Sequence, residues 1–256
     1  MAIVADIMGF IDTAVSGAAQ DTFVAVADGY GGIITILAVM AFMVFGVAVA
    51  LGVVTARAGD MTQLILRIVL IFTFGLSWAN FEVIYDALTN TGDSLVVRLF
   101  EGADDSGASS SVELAEGFAL QAQETAGTVI KAESAIARGF LGAIMYLLLA
   151  LLQAAYILVA GFAKIMIGIL VGLAPFAIAA TCLNRTQFLF EAWMSSLIGY
   201  FMYPVAAAGV MGFVASVAKA AFTSRNEETL IGITGVVVII IVGIYGLLTI
   251  PQVASN

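Results

Sequence analysis

Apolar and polar residues fall in long blocks along this chain of 256 residues. In the first block Ile3, Ile7, Phe10, Ile11 and Ala14 recur at helical spacing, with Asp6, Asp12, Asp21 and Asp28 among them. That spacing predicts an N-terminal amphipathic helix over 1–29, lying on the periplasmic or interfacial side of a membrane. It carries no Lys or Arg. Two apolar runs follow, at about 33–54 (IITILAVMAFMVFGVAVALGVV) and about 64–84 (LILRIVLIFTFGLSWANFEVI). Each has the length of roughly 20 residues that crosses a bilayer as a helix. The linker between them is short, so 30–88 is expected to form an antiparallel transmembrane hairpin.

Residues 89–139 are the longest polar region. EGADDSGASSS reads as a flexible acidic loop, and VELAEGFALQAQETAGTVIKAESAIARG as a helix rich in Ala, Glu and Gln. Residues 140–182 are apolar almost throughout. As one helix at 1.5 Å per residue they would run about 65 Å, against a hydrocarbon core of about 30 Å. The block is therefore expected to cross twice, or to cross once and re-enter, with a break at AGFAK around Gly161 and Lys164. Further apolar segments span about 195–222, with Pro204 inside, and about 230–249, ending before Pro251. Residues 140–256 form the expected C-terminal transmembrane bundle.

Composition narrows the class. The chain is 62% hydrophobic and 11% charged, with a mean hydropathy of +1.11; soluble domains carry about 25% charged residues. The expected fold is all-α, a polytopic transmembrane protein with five to six membrane segments. There is no histidine and one cysteine. This excludes disulfide frameworks, Cys/His metal sites and histidine-based catalysis, so no cofactor or metal is expected. The net charge of −9 excludes a basic nucleic-acid patch, though not transient passage of DNA through an assembly. MAIVADIMGF lacks a positive start and contains Asp6, unlike a cleaved signal peptide.

Charge position sets the expected orientation. Arg57 and Arg67 flank the first turn, which places that turn in the cytoplasm and the N-terminus and 89–139 in the periplasm. Six spans put Arg57, Arg67, Lys164, Lys219 and Arg225 inside and Arg185 outside. Five spans, with 165–182 re-entering from the cytoplasm, put Arg57, Arg67, Lys164 and Arg185 inside and the other two outside. Three charged residues fall within apolar runs. Arg67 is placed to snorkel to the cytoplasmic interface, and Glu82 to sit at the outer one. Lys164 is either a cytoplasmic turn or, if its helix continues, a buried cation that needs a partner. No set of acids converges as a proton relay would require. Gly161, Gly168 and Gly172, and again Gly209 and Gly212, are small residues that let helices approach, within the chain or between copies.

The stretch GLAPFAIAATCLNRTQFLFEAW (172–193) departs from a plain span. Pro175 removes a backbone donor and should bend or break the helix. Asn184 or Thr186 can cap a new helix, with Arg185 between them. There Phe190, Trp193, Met194 and Leu197 fall on one face, beside Glu191. The pattern predicts an interfacial helix over 184–194 that feeds the next span at Ser195. It serves either as an aromatic anchor or as a contact surface for a partner.

The longer pattern GLAPFAIAATCLNRTQFLFEAWMSSLIGYFMYPV resembles the TrbL-like family, polytopic inner-membrane subunits of bacterial type IV secretion and conjugation systems that include the sixth protein of the VirB operon. The elements that carry the likeness are Gly172, Pro175, Arg185, Thr186, Phe190, Glu191, Trp193, Tyr203 and Pro204. The early hairpin with ARAGDMTQLILRIVLI and the central acidic loop also fit, and the likeness covers most of 30–225. It implies no enzyme, but a channel and pilus-assembly subunit in a homo-oligomeric ring, with five spans, a periplasmic N-terminus and a cytoplasmic C-terminus. The partners implied are the minor and major pilins, a bitopic periplasmic scaffold protein, assembly ATPases, membrane lipid, and a transient DNA or protein substrate. Lys164, Pro175, Asn184, Arg185, Thr186, Phe190, Glu191, Trp193 and Pro204 become the candidate contact and assembly residues. The competing reading is a small-solute transporter or channel, for which the chain offers only Lys164 and the Pro175 region near a midplane.

Overall fold

A computed structural model describes residues 3–53, 58–100, 113, 117, 120, 135–183, 185–223 and 230–254. The described chain is helical. Helix α1 runs Ile3–Ala50 without a break at the boundary expected near 29. Its buried residues Val4, Met8, Ala19, Phe23, Ala27, Ile34, Ala38 and Ala41 form a single stripe, while Ile33, Ile36, Met43 and Val47 are apolar and more than half exposed. A helix apolar on every side suits lipid. Gly29, Gly31 and Gly32 are accommodated within the helix. The helix ends instead at Gly52, the one residue with positive φ among those described, +68°. Val53 N–H donates to Ala48 O and Gly52 N–H to Val49 O, both at 3.0 Å. This pair of bonds is the Schellman closure, which glycine adopts without steric cost.

The second apolar run is not the straight span its length predicts. Helix α2 (Ala58–Leu70) passes into a π-helical turn at Ile71–Gly75, and α3 starts afresh at Trp78 and runs to Phe100. The two parts bend by 89°. Asn80 Nδ2 donates to Thr73 O at 2.9 Å, satisfying a carbonyl that the break releases. Helix α3 also claims the start of the region expected as a loop. The acidic loop, and all of the expected helix after it up to 134 except Glu113, Gly117 and Leu120, lie outside the described residues.

Helix α4 runs Ala135–Gly172, so the chain does not turn at Gly161 and Lys164. The glycines there bring α4 close to α1. A Cβ built on Gly161 would lie 3.0 Å from Ile11 Cδ1, one on Gly168 2.5 Å from Val15 Cγ1, and one on Gly172 2.7 Å from Thr22 Cγ2. These three glycines therefore serve packing within the chain. A short helix α5 (Ala174–Ala179) and a 3₁₀ turn (Ala180–Cys182) follow. Then α6 (Gln187–Thr223) keeps Pro204 in its interior, and α7 (Leu230–Ala254) ends the described chain.

Contacts divide the chain into two compact units, 1–12 with 89–164 and 199–256, and 13–88 with 165–198. The first has a core of Met8, Leu152, Tyr156, Ala208, Met211, Ile240 and Leu247. In the second, the fully buried Phe23 meets Trp78 edge-on at 5.3 Å and stacks on Phe81 at 5.2 Å.

By length and composition Val4–Ala50, Gly142–Gly172 and Gln187–Val214 can each cross a membrane, and Met61–Gly75 with Trp78–Ala87 makes a fourth if the bent pair counts as one. Among the described residues Val237–Gln252 is a shorter apolar helix. The five to six segments expected from hydropathy thus become three or four candidate spans. One reason is that the last apolar segment has only the shorter helix Val237–Gln252. Another is that the 140–182 block is a single long helix plus a short one.

Candidate functional site

Leu173 leaves the helical line with ψ near 0°, and Pro175 then falls in the first turn of α5, where its missing N–H costs nothing. Pro175 thus breaks the segment as the sequence predicts. Phe176 N–H and Ala177 N–H both donate to Leu173 O, at 3.1 and 3.2 Å. Ala174, Pro175, Ala177 and Ile178 are buried. Ile178 seats on Gly75, where a Cβ would lie 3.4 Å from its Cγ2, and Phe176 meets Tyr30 with ring centres 4.9 Å apart. A glycine at 75 therefore lets α5 lie against the π turn.

The polar step closes this loop with hydroxyls. Thr181 Oγ1 donates to Ile178 O at 2.6 Å. Thr186 Oγ1 donates to Ala180 O at 2.6 Å and to Leu183 O at 3.1 Å. Thr186 stands just before α6, as expected of a cap. Its hydroxyl, however, serves carbonyls of the preceding turn rather than the amides of the helix it precedes. Asn184, the other expected cap, lies outside the described residues. Arg185 is exposed.

Arg67 does not simply extend to an interface. It donates to Thr181 O at 3.2 Å and to Gln187 Oε1 at 3.1 Å. Gln187 in turn donates from Nε2 to Glu191 Oε1 at 3.0 Å. One guanidinium therefore joins α2, the 3₁₀ turn and the first turn of α6. The planar fork of arginine holds two acceptors in a fixed geometry, which the rotatable donors of a lysine ammonium do not impose. Gln187 was not among the residues the sequence singled out. The available signal was its spacing, one turn before Glu191 and so on the same helix face.

Trp193 is also used internally. Its indole Nε1–H donates to Leu170 O at 2.8 Å, one of the carbonyls in the last turn of α4 that lack a helical partner. Phe190 packs beside it at 5.6 Å, and Leu197 is buried. The apolar face of Phe190, Trp193, Met194 and Leu197 is thus turned inward. Helix α6 starts at Gln187 and passes Ser195 without a break, so the stretch expected as an interfacial helix and the span it feeds share one helix. Phe188 and Leu189 are exposed.

Pro175, Thr186, Phe190, Glu191 and Trp193 all belong to the second unit, and of these Glu191 is joined to Arg67 through Gln187. Lys164 and Pro204 belong to the first. Lys164, with its helix continuing past it, has the partner such a cation requires. Its Nζ lies 2.6 Å from Asp12 Oδ1 and 2.7 Å from Oδ2, the lysine side chain 18% exposed and the aspartate 51%. Exchanging the two charges, Asp12→Lys with Lys164→Asp, should restore the membrane level of protein that either single change lowers. Quantitative blotting of membrane fractions reads this, and a double variant no better than the singles would show that the pair contributes nothing.

Beside Arg67, the C-terminal half of α1 and the start of α2 border an open cavity of about 590 Å³, whose walls include Met40, Val44, Phe45, Ala48, Gln63, Arg67 and Cys182. Its lining is mostly apolar, with the guanidinium and one amide as the main polar groups. Among the described residues no three His, Cys, Asp or Glu side chains gather as metal ligands. The arrangement is suited to holding helices in register and to binding, through hydrogen bonds and one positive charge.

A family model described as TrbL/VirB6 plasmid conjugal transfer protein matches residues 38–253. No curated protein matches the chain.

Proposed function

The chain belongs to the TrbL/VirB6 plasmid conjugal transfer family, and from that premise we propose that it is an inner-membrane channel and pilus-assembly subunit of a type IV secretion system, working in a homo-oligomeric ring. The observation that carries the reading is the extent of the match. It takes in the last part of α1, the bent pair, α4, the loop between α4 and α6 at 173–186 (the polar hinge), α6 and most of α7. Membership makes the chain a membrane component of conjugation machinery. The finer reading gives it a mechanical role rather than a catalytic one, with a periplasmic N-terminus and pilins, a periplasmic scaffold protein and assembly ATPases as partners.

Within this reading the hinge has two faces. Arg67, Gln187, Trp193 and the two threonines hold it together from inside. Arg185, Phe188 and Leu189 are exposed and are the residues we assign to docking. Within the same reading the central region 89–139 reaches the substrate or stalk. In-cell photocrosslinking from position 185, with adducts identified by mass spectrometry, tests this. Adducts to pilin or another secretion subunit are expected. Adducts to lipid alone would remove the docking surface, and unimpaired transfer and pilus formation after clean deletion of the chain would overturn the reading as a whole.

A further inference from the structure

We propose that the cavity between α1 and α2 is a binding site for one anionic phospholipid, with its headgroup phosphate on Arg67 and Gln63 and an acyl chain along Met40, Val44 and Phe45. All of these residues line the same cavity. Gln63 and Arg67 are one turn apart on α2, so an amide and a guanidinium face the space together. A guanidinium carries five N–H donors, and its hydrogen bonds to phosphate are charge-assisted. One donor on each terminal nitrogen goes to the Thr181 carbonyl and the Gln187 side-chain oxygen, which fixes the positive charge beside the space, so little side-chain freedom is lost when an anion arrives.

The remaining wall selects the rest of the molecule. Met40 and Val44 are exposed at 49% and 63%, in a helix that can cross a bilayer. A soluble anion would leave that wall uncovered, whereas an acyl chain covers it. The volume of about 590 Å³ falls within the usual range for ligand pockets, about 300–1,000 Å³. It suits a headgroup and the first part of a chain, with the remainder lying in the bilayer. The positive-inside expectation puts this end of α1 at the cytoplasmic leaflet, where basic pockets between helices take anionic headgroups.

The test is native mass spectrometry of the delipidated full-length protein in neutral detergent, titrated with three probes. Dioleoyl phosphatidylglycerol carries phosphate and chains. Dioleoylglycerol carries the chains alone, and inorganic phosphate the anion alone. One phosphatidylglycerol per chain is expected, bound at least about tenfold more tightly than either partial probe. Ala48→Phe, which fills the cavity away from the polar hinge, should weaken phosphatidylglycerol about tenfold. Gln63→Glu, at an exposed position that does not threaten folding, should weaken phosphatidylglycerol and leave dioleoylglycerol unchanged. Equal binding of dioleoylglycerol would show that the charge plays no part, and equal binding of phosphate would make this a free-anion site. Full retention of phosphatidylglycerol by Gln63→Glu would place the lipid elsewhere. Each of these three results overturns the proposal. None depends on transfer activity, so the outcome is separate from that of the secretion reading.

Discussion

Gly172→Val should remove most of the folded protein from the membrane. A Cβ at 172 would lie 2.7 Å from Thr22 Cγ2 and 2.8 Å from Thr22 Cβ. The second distance matters more, because a Cβ is fixed to the backbone and cannot rotate away. Relief requires α1 and α4 to separate along a contact that Val15 already makes tight at Gly168. Overpacking of this kind costs about 1–3 kcal/mol, a large share of a total stability of about 5–15 kcal/mol. The control is Gly9→Val, where a new Cβ meets nothing within 4 Å, so that only helix propensity changes. The measurement is the amount of monodisperse protein recovered in detergent, with its thermal midpoint. Thr22→Gly added to Gly172→Val should return much of the loss. Equal recovery of Gly172→Val and Gly9→Val would mean that the close approach does not stabilise the fold.

Arg67→Ala should reduce conjugative transfer by about an order of magnitude, as the loss of a group joining two partly buried acceptors would, and should loosen the loop between α4 and α6. The substitution leaves Thr181 O and Gln187 Oε1 without the donor that joins them. Each partly buried acceptor stranded in this way costs about 1–3 kcal/mol at full burial, less where water reaches it. Arg67→Lys should fall between, since an ammonium keeps the charge but loses the fork. Transfer frequency normalised to membrane protein level gives the first readout. Limited proteolysis of solubilised protein within 173–186 gives the second. If Arg67→Ala transfers normally and its loop stays protected, the polar chain is incidental and the hinge is held by apolar packing alone.

Much of this was legible in the sequence. Class and family follow from hydropathy and from the polar step after Pro175, because both are local properties. Where the helices end did not follow. In 140–182 the expected break rested on comparing a helix length with a bilayer thickness, and on a glycine and a lysine that look like a turn. That glycine faces Ile11 and that lysine pairs with Asp12. Both partners come from a part of the chain that a local reading cannot connect to them. Arg67 is similar: snorkelling is the sound expectation for one cation near a span end, until a distant carbonyl and amide offer it a closer partner. Trp193 looked like an interfacial anchor because indole favours headgroups, and nothing near it in the sequence pointed to the Leu170 carbonyl.

That indole bond also gives the molecule a built-in gauge. The chain has two tryptophans, in unlike settings. The Trp78 Nε1–H is buried with no hydrogen-bond partner among the described residues, whereas that of Trp193 is fastened to the end of α4. With Trp78 changed to Phe, the indole emission of the protein comes from a single ring, and that ring reads whether the α4–α6 clasp is closed. Any docking event that pulls the clasp open would free the N–H and change the polarity around the ring, so the hinge reports its own state as a shift in colour.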